Sequence, residues 1–173
     1  MPETTSIDSA EETFCSFRAD SRLFGIRVSA LREISTNTVI TPVPQAPPGV
    51  RGLANLRSRV HLVIDLRPAL GLPAAECTPE SRLIILKPNV AEDVGILVDQ
   101  GGDILCVRRE RIESWNESSS SAPDSSGETA AAFVVAVCKL DRELMMIIDP
   151  SRLVEFVSNA IRRNDALTGK AIS

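Results

Sequence analysis

The feature that most constrains this chain is a hydrophobic period of two, carried in short runs broken by polar turns. TFCSFR (13–18) and LFGIRV (23–28) flank the polar ADSR, which suits a hairpin turn. RLIILK (82–87), VGILVD (94–99) and DILCV (103–107) form a second block, and AFVVAVCKL (132–140) with ELMMIID (143–149) a third. Each run is too short for a typical helix, and closely spaced short strands with few helices argue for small β-barrels.

Two stretches depart from simple alternation. TPVPQAPPG (41–49) packs four prolines into nine residues. Each lacks an amide donor, so the stretch predicts an extended connector rather than a central strand. Residues 29–34 (SALREI) predict a short helix opened by a Ser cap, because Leu31 and Ile34 stand three apart with Glu33 off that face. In ANLRSRVHLVIDLR (54–67), Val60, Leu62, Ile64 and Leu66 alternate as a buried face. His61, Val63, Asp65 and Arg67 form the opposite, exposed face, which suits a half-buried antiparallel strand. Toward the end, Asp149 caps and Pro150 opens a helix whose stripe is Leu153, Phe156, Val157, Ala160 and Ile161. The expected organisation is a tail over 1–12, one domain of two barrels over 13–162 and a flexible tail over 163–173. A Ser-rich mobile loop is expected at 114–129.

Charge and composition exclude several functions. A net charge of −4 gives no field for nucleic acid, and no aromatic-plus-Arg platform offers bases a stack. No apolar run approaches the roughly 20 residues of a membrane helix, and MPETTSIDSAEET lacks a signal-peptide layout. A cytoplasmic protein that does not insert into membranes is expected. The four cysteines form no CxxC pair and with only His61 make a poor zinc set. Cys15, Cys106 and Cys138 read as buried small hydrophobes, and Cys77 as exposed. Asp65, Asp99 and Asp149 each end an apolar run, where aspartate commonly turns the chain or caps the next element. No nucleophile elbow, P-loop or dinucleotide fingerprint is present, so no enzyme and no cofactor is expected.

The block TPVPQAPPGVRGLANLRSRVHLVIDLRPALGL (41–72) resembles the signature region of CheW-like domains. There a Pro-containing connector leads to G-x-x-N-L-R-G, an aliphatic strand and V-x-D-L-R. The matching residues are Gly52, Asn55, Leu56, Arg57, Asp65, Leu66 and Arg67. FCSFRADSRLFGIRVSALREI resembles the family's opening strands and acidic V-x-E-I element, with Glu33 at the acidic position. RLIILK–VGILVD and AVCKLDRELMMIIDPSRLV resemble its middle and its closing hairpin and helix, so the likeness spans roughly 13–157.

The resemblance implies a mainly β fold, two intertwined five-stranded SH3-like β-barrels with a C-terminal helix and a shared apolar interface. It further implies a non-enzymatic adaptor in chemotaxis or chemotaxis-like signalling. Such an adaptor docks to the regulatory domain of a CheA-type histidine kinase and to the cytoplasmic tip of methyl-accepting chemoreceptors. By the same resemblance Glu33, Arg57, Leu31, Asn55 and Val60 face the receptor, while Gly52, Asp65 and Arg67 hold a turn or the barrel-to-barrel contact. The competing reading of the residues is a generic SH3-like binding module in another pathway, but its aromatic-lined groove fits poorly with 3% aromatics and no tyrosine. The chain departs from the family pattern at Ser58 (for glycine), Leu62 (for proline), Ala136 (for a residue often glycine) and Gln100–Gly102.

Overall fold

The computed structural model describes residues 10–115 and 132–168. The expectations for 1–9, for most of the Ser-rich stretch and for the last five residues lie outside the described residues. The strands are β1 (Glu11–Ala19), β2 (Arg22–Arg27), β3 (Leu31–Thr36), β4 (Ile40–Thr41), β5 (Val50–Leu56) and β6 (Arg59–Asp65). They continue with β7 (Arg82–Leu86), β8 (Val94–Val98), β9 (Gln100–Arg108), β10 (Ile112–Ser114), β11 (Val134–Lys139) and β12 (Leu144–Ile148). The helices are α1 (Leu66–Ala69) and α2 (Pro150–Thr168).

The strands form two sheets, ordered β10-β11-β12-β2-β1-β9 and β3-β7-β8-β6-β5-β4. Both repeat one pairing pattern: antiparallel, antiparallel, parallel, antiparallel, antiparallel. Each has five longer strands and one short edge strand, β10 or β4, which matches the expected pair of five-stranded barrels. We call them the terminal barrel, built from both ends of the chain, and the central barrel, built from β3–β8. The chain therefore crosses between barrels twice, at β2–β3 and at β8–β9.

Burial follows this geometry. Phe14, Leu23, Val107, Cys138, Met145 and Ile147 cluster in the terminal barrel, and Ala54, Val63, Leu83, Ile85 and Leu97 in the central one. The largest cluster joins them. Phe17, Phe24 and Ile26 of the terminal barrel meet Ile64, Ile84, Leu86 and Ile96 of the central barrel, with Leu153 and Val157 of α2 alongside. Asp149 caps α2 as expected, accepting from the Ser151 amide at 2.9 Å, and Phe156 packs edge-on against Phe133.

Four expectations change. Residues 29–34 are not a helix: a single 3₁₀ turn (Val28–Ala30) leads into β3. The register slips between Leu31 and Glu33, so Leu31 faces Leu86 while Ile34 faces Ile84. One extra residue in the strand turns a spacing of two into three, which mimics a helical period. The two faces of β6 are not buried and exposed as expected: its second half, Val63–Asp65, is covered on both sides, and in its first half the buried face is that of His61 while the Val60 face is open. His61 and Asp65 are buried, and Val60 is exposed. Cys106 is exposed with Cys77, because β9 is an edge strand, while Cys15 and Cys138 are buried. Finally, β1 starts at Glu11, inside the expected tail, because Glu12 accepts from Arg27 and Arg109; α2 likewise continues past 162.

Candidate docking surface

The signature block folds into the β5–β6 hairpin, closed by a turn at Arg57 and Ser58. Both have positive φ, 51° and 65°, the combination of a tight two-residue hairpin turn. Glycine accepts such angles without strain, so the serine at the family's glycine position holds a costlier conformation. At the tip, Arg57 Nη2 lies 3.0 Å from Glu33 Oε2 on β3. The Arg57 side chain remains 80% exposed while Glu33 is half-buried, so the arginine end of the pair is open to solvent. Two residues 24 positions apart, singled out from the sequence, thus meet.

The outward face of the hairpin is apolar. Val60 stands opposite Asn55 and Leu62 opposite Leu53, with Thr41 of β4 beside Leu53. Val60 is 56% exposed, and Leu53, Val39 and Val43 on or beside this face are also exposed. These are four of the seven large apolar side chains exposed among the described residues, concentrated on one short hairpin and its edge. Contiguous exposed apolar surface on a folded domain marks an interaction site. Leu31 is elsewhere. The bulge turns it into the shared core beside Leu86, so it supports β3 from behind and does not line this face.

The remaining residues hold the frame. Gly52 has φ 150°, and an added Cβ would lie 2.2 Å from the Thr41 carbonyl oxygen, so only glycine lets β4 approach β5 this closely. Asp65 caps α1, its Oδ1 accepting from the Arg67 amide at 3.0 Å, with Arg51 3.5 Å from Oδ2. Burial pushes the Asp65 carboxyl above the usual carboxylate range. The Arg67 amide and the Arg51 and Arg67 charges pull against that, while Asp99 adds to it. Arg67 donates from Nη1 to Asp99 at 2.6 Å. His61 Nδ1 lies 3.1 Å from the Arg59 carbonyl, and Arg59 pairs with Asp93 at 3.1 Å. Sequence reasoning missed Leu53, Val39 and the Asp99 junction. The alternation of β5 carries a signal for Leu53, whereas a junction between distant segments leaves none.

Residues 13–157 match the family model described as CheW-like domain. The chain belongs to the CheW-like domain family. A chemotaxis protein CheW of Bacillus subtilis is 31% identical over 152 residues, covering 88% of this chain and 92% of the relative. Another, of Rhizobium meliloti, is 31% identical over 133 residues, covering 77% and 81%. The crystal structure of a scaffolding protein CheW from Thermoanaerobacter tengcongensis superposes with a TM-score of 0.67 at 24% identity, over 80% of this chain and 88% of that one. As a CheW-like chain, this protein is a non-enzymatic adaptor of chemotaxis-type signalling. Among the described residues no helix is long and apolar enough to cross a membrane.

Proposed function

We propose that this chain works in the cytoplasm and couples methyl-accepting chemoreceptors to a CheA-type histidine kinase through the kinase's regulatory domain. In this reading the receptor's helical tip meets the outer face of β4, β5 and β6. The observation that carries it is the apolar strip of exposed Val60 and Leu53 with half-buried Leu62 between them, rimmed by Asn55 and the Arg57–Glu33 pair. Three strands at about 4.8 Å spacing make a face about 10 Å wide, the width of one helix. Asn55 both donates and accepts, and the Arg57 fork grips a carboxylate or backbone carbonyls bidentately, so the rim sets register while the strip supplies apolar contact. Leu31 contributes indirectly, by holding the strand that presents Glu33.

An adaptor for two partners needs two separate surfaces. A second apolar recess, lined by Leu23, Val137, Leu144, Met146 and Trp115, lies on the terminal barrel and leaves the hairpin face free. Replacing Arg57 by alanine is expected to weaken receptor-tip binding about tenfold or more, since removing a central interface arginine commonly costs about 2 kcal/mol. Thermal unfolding should change little, because the arginine removed is itself exposed. Equal affinity of variant and wild type would remove Arg57 from the docking surface.

A further inference from the structure

Three apolar runs end in aspartate, and the structure gives the three carboxylates different work. Asp65 caps α1 and Asp149 caps α2. Asp99 has no helix to cap, because β9 begins at the next residue. Its carboxylate instead joins parts of the chain that are remote in sequence. Oδ2 accepts from the Asp20 amide, in the β1–β2 turn of the terminal barrel, at 2.7 Å. The same oxygen accepts from Arg67 Nη1, on α1 at the end of the central barrel, at 2.6 Å. The Asp99 amide donates to the Arg18 carbonyl at 3.1 Å, and Arg67 Nε donates to the Pro73 carbonyl at 2.8 Å. All of this sits at the second point where the chain crosses between barrels.

We infer that Asp99 is a positioning residue that sets the angle between the two barrels. The shared core holds the barrels together, but the hydrophobic driving force is itself non-directional. Hydrogen bonds to a carboxylate are directional and, with a guanidinium donor, charge-assisted. The Arg67 side chain is only 16% exposed, so without Asp99 a largely buried cation loses its partner and must rearrange. A partner that touches both barrels then meets them in one relative orientation rather than a range. The inference goes beyond the proposed coupling role and does not depend on any partner.

The exposed thiols supply the probe. Cys77 lies between α1 and β7 of the central barrel and Cys106 lies on β9 of the terminal barrel, while Cys15 and Cys138 are buried. Spin labels on Cys77 and Cys106 report the inter-barrel distance by double electron–electron resonance. Asp99→Ala is expected to broaden the distribution about twofold with far-ultraviolet circular dichroism retained, as loss of a directional, charge-assisted link implies. Asp99→Asn keeps the shape and an oxygen for the Asp20 amide but gives up the charge that Arg67 meets, so it should broaden the distribution less, and Arg67→Gln should reproduce it. If Asp99→Ala fails to fold, the asparagine variant decides. A purely structural role predicts a lower melting temperature with the distance distribution unchanged in the folded variants, and that result would overturn the inference.

Discussion

Ser58 occupies a left-handed conformation that glycine adopts at lower cost, and this makes the hairpin tip a place where one residue tests the geometry. A non-glycine residue there costs about 1–2 kcal/mol, partly offset by the extra freedom glycine has in the unfolded chain, about 0.5–1 kcal/mol. Ser58→Gly should therefore stabilise the protein by about 0.5–1 kcal/mol, read as a higher urea midpoint with an unchanged slope. A lower midpoint would contradict the turn. The cysteines give a second check at this scale. Burial pushes the Cys15 thiol up to about 11, with Asp103 adding to the shift, and Cys138 is buried as well. Alkylation of the native protein near neutral pH should label Cys77 and Cys106 and spare the other two, counted by mass spectrometry. Labelling of Cys15 before unfolding would mean the shared core opens. Exposure of Cys106 was not legible in DILCV, because an edge strand and a buried strand can carry the same apolar letters.

At the scale of elements, alternation and turn chemistry located most strands, the proline connector and α2. The pattern misled where a bulge altered the period, at 29–34, and where the second half of β6 was covered on both faces. Neither is visible in one segment alone, since both depend on what packs opposite. Gly52 shows the same dependence in a form that can be measured. Gly52→Ala drives a Cβ into the Thr41 carbonyl and should destabilise by about 2 kcal/mol or more, with β4 released first in hydrogen exchange. An unchanged denaturation midpoint would mean that β4 can shift freely. Asp65 carries a pH signature. Its carboxyl is raised in the folded state, first by burial, so its contribution to stability is fully present below the unfolded value of about 4. That contribution is lost as pH rises through the folded value. The stability of wild type relative to Asp65→Asn, which keeps an oxygen to cap α1, should therefore fall as pH rises above about 4. A difference that grows over this range would reverse the sign of the shift.

For the whole molecule, the two sheets repeat one pairing order, so one chain of modest length carries two barrels, each with an outer face of its own. The order of motifs from 13 to 157 made the family legible, and the two residues the resemblance singled out, Arg57 and Glu33, form an ion pair that the motifs alone did not announce. Leu31 was misplaced because a side chain's direction depends on the bulge, and Asp99 was passed over because its partners come from both barrels. Whether this adaptor serves a CheA-type kinase is decided by calorimetric titration with the regulatory domain of each such kinase from its own organism. Saturable one-to-one binding to one of them is expected, in the micromolar to nanomolar range common for interfaces of standard size. Absence of binding to every one of them would contradict that role and leave a CheW-like fold serving a different partner.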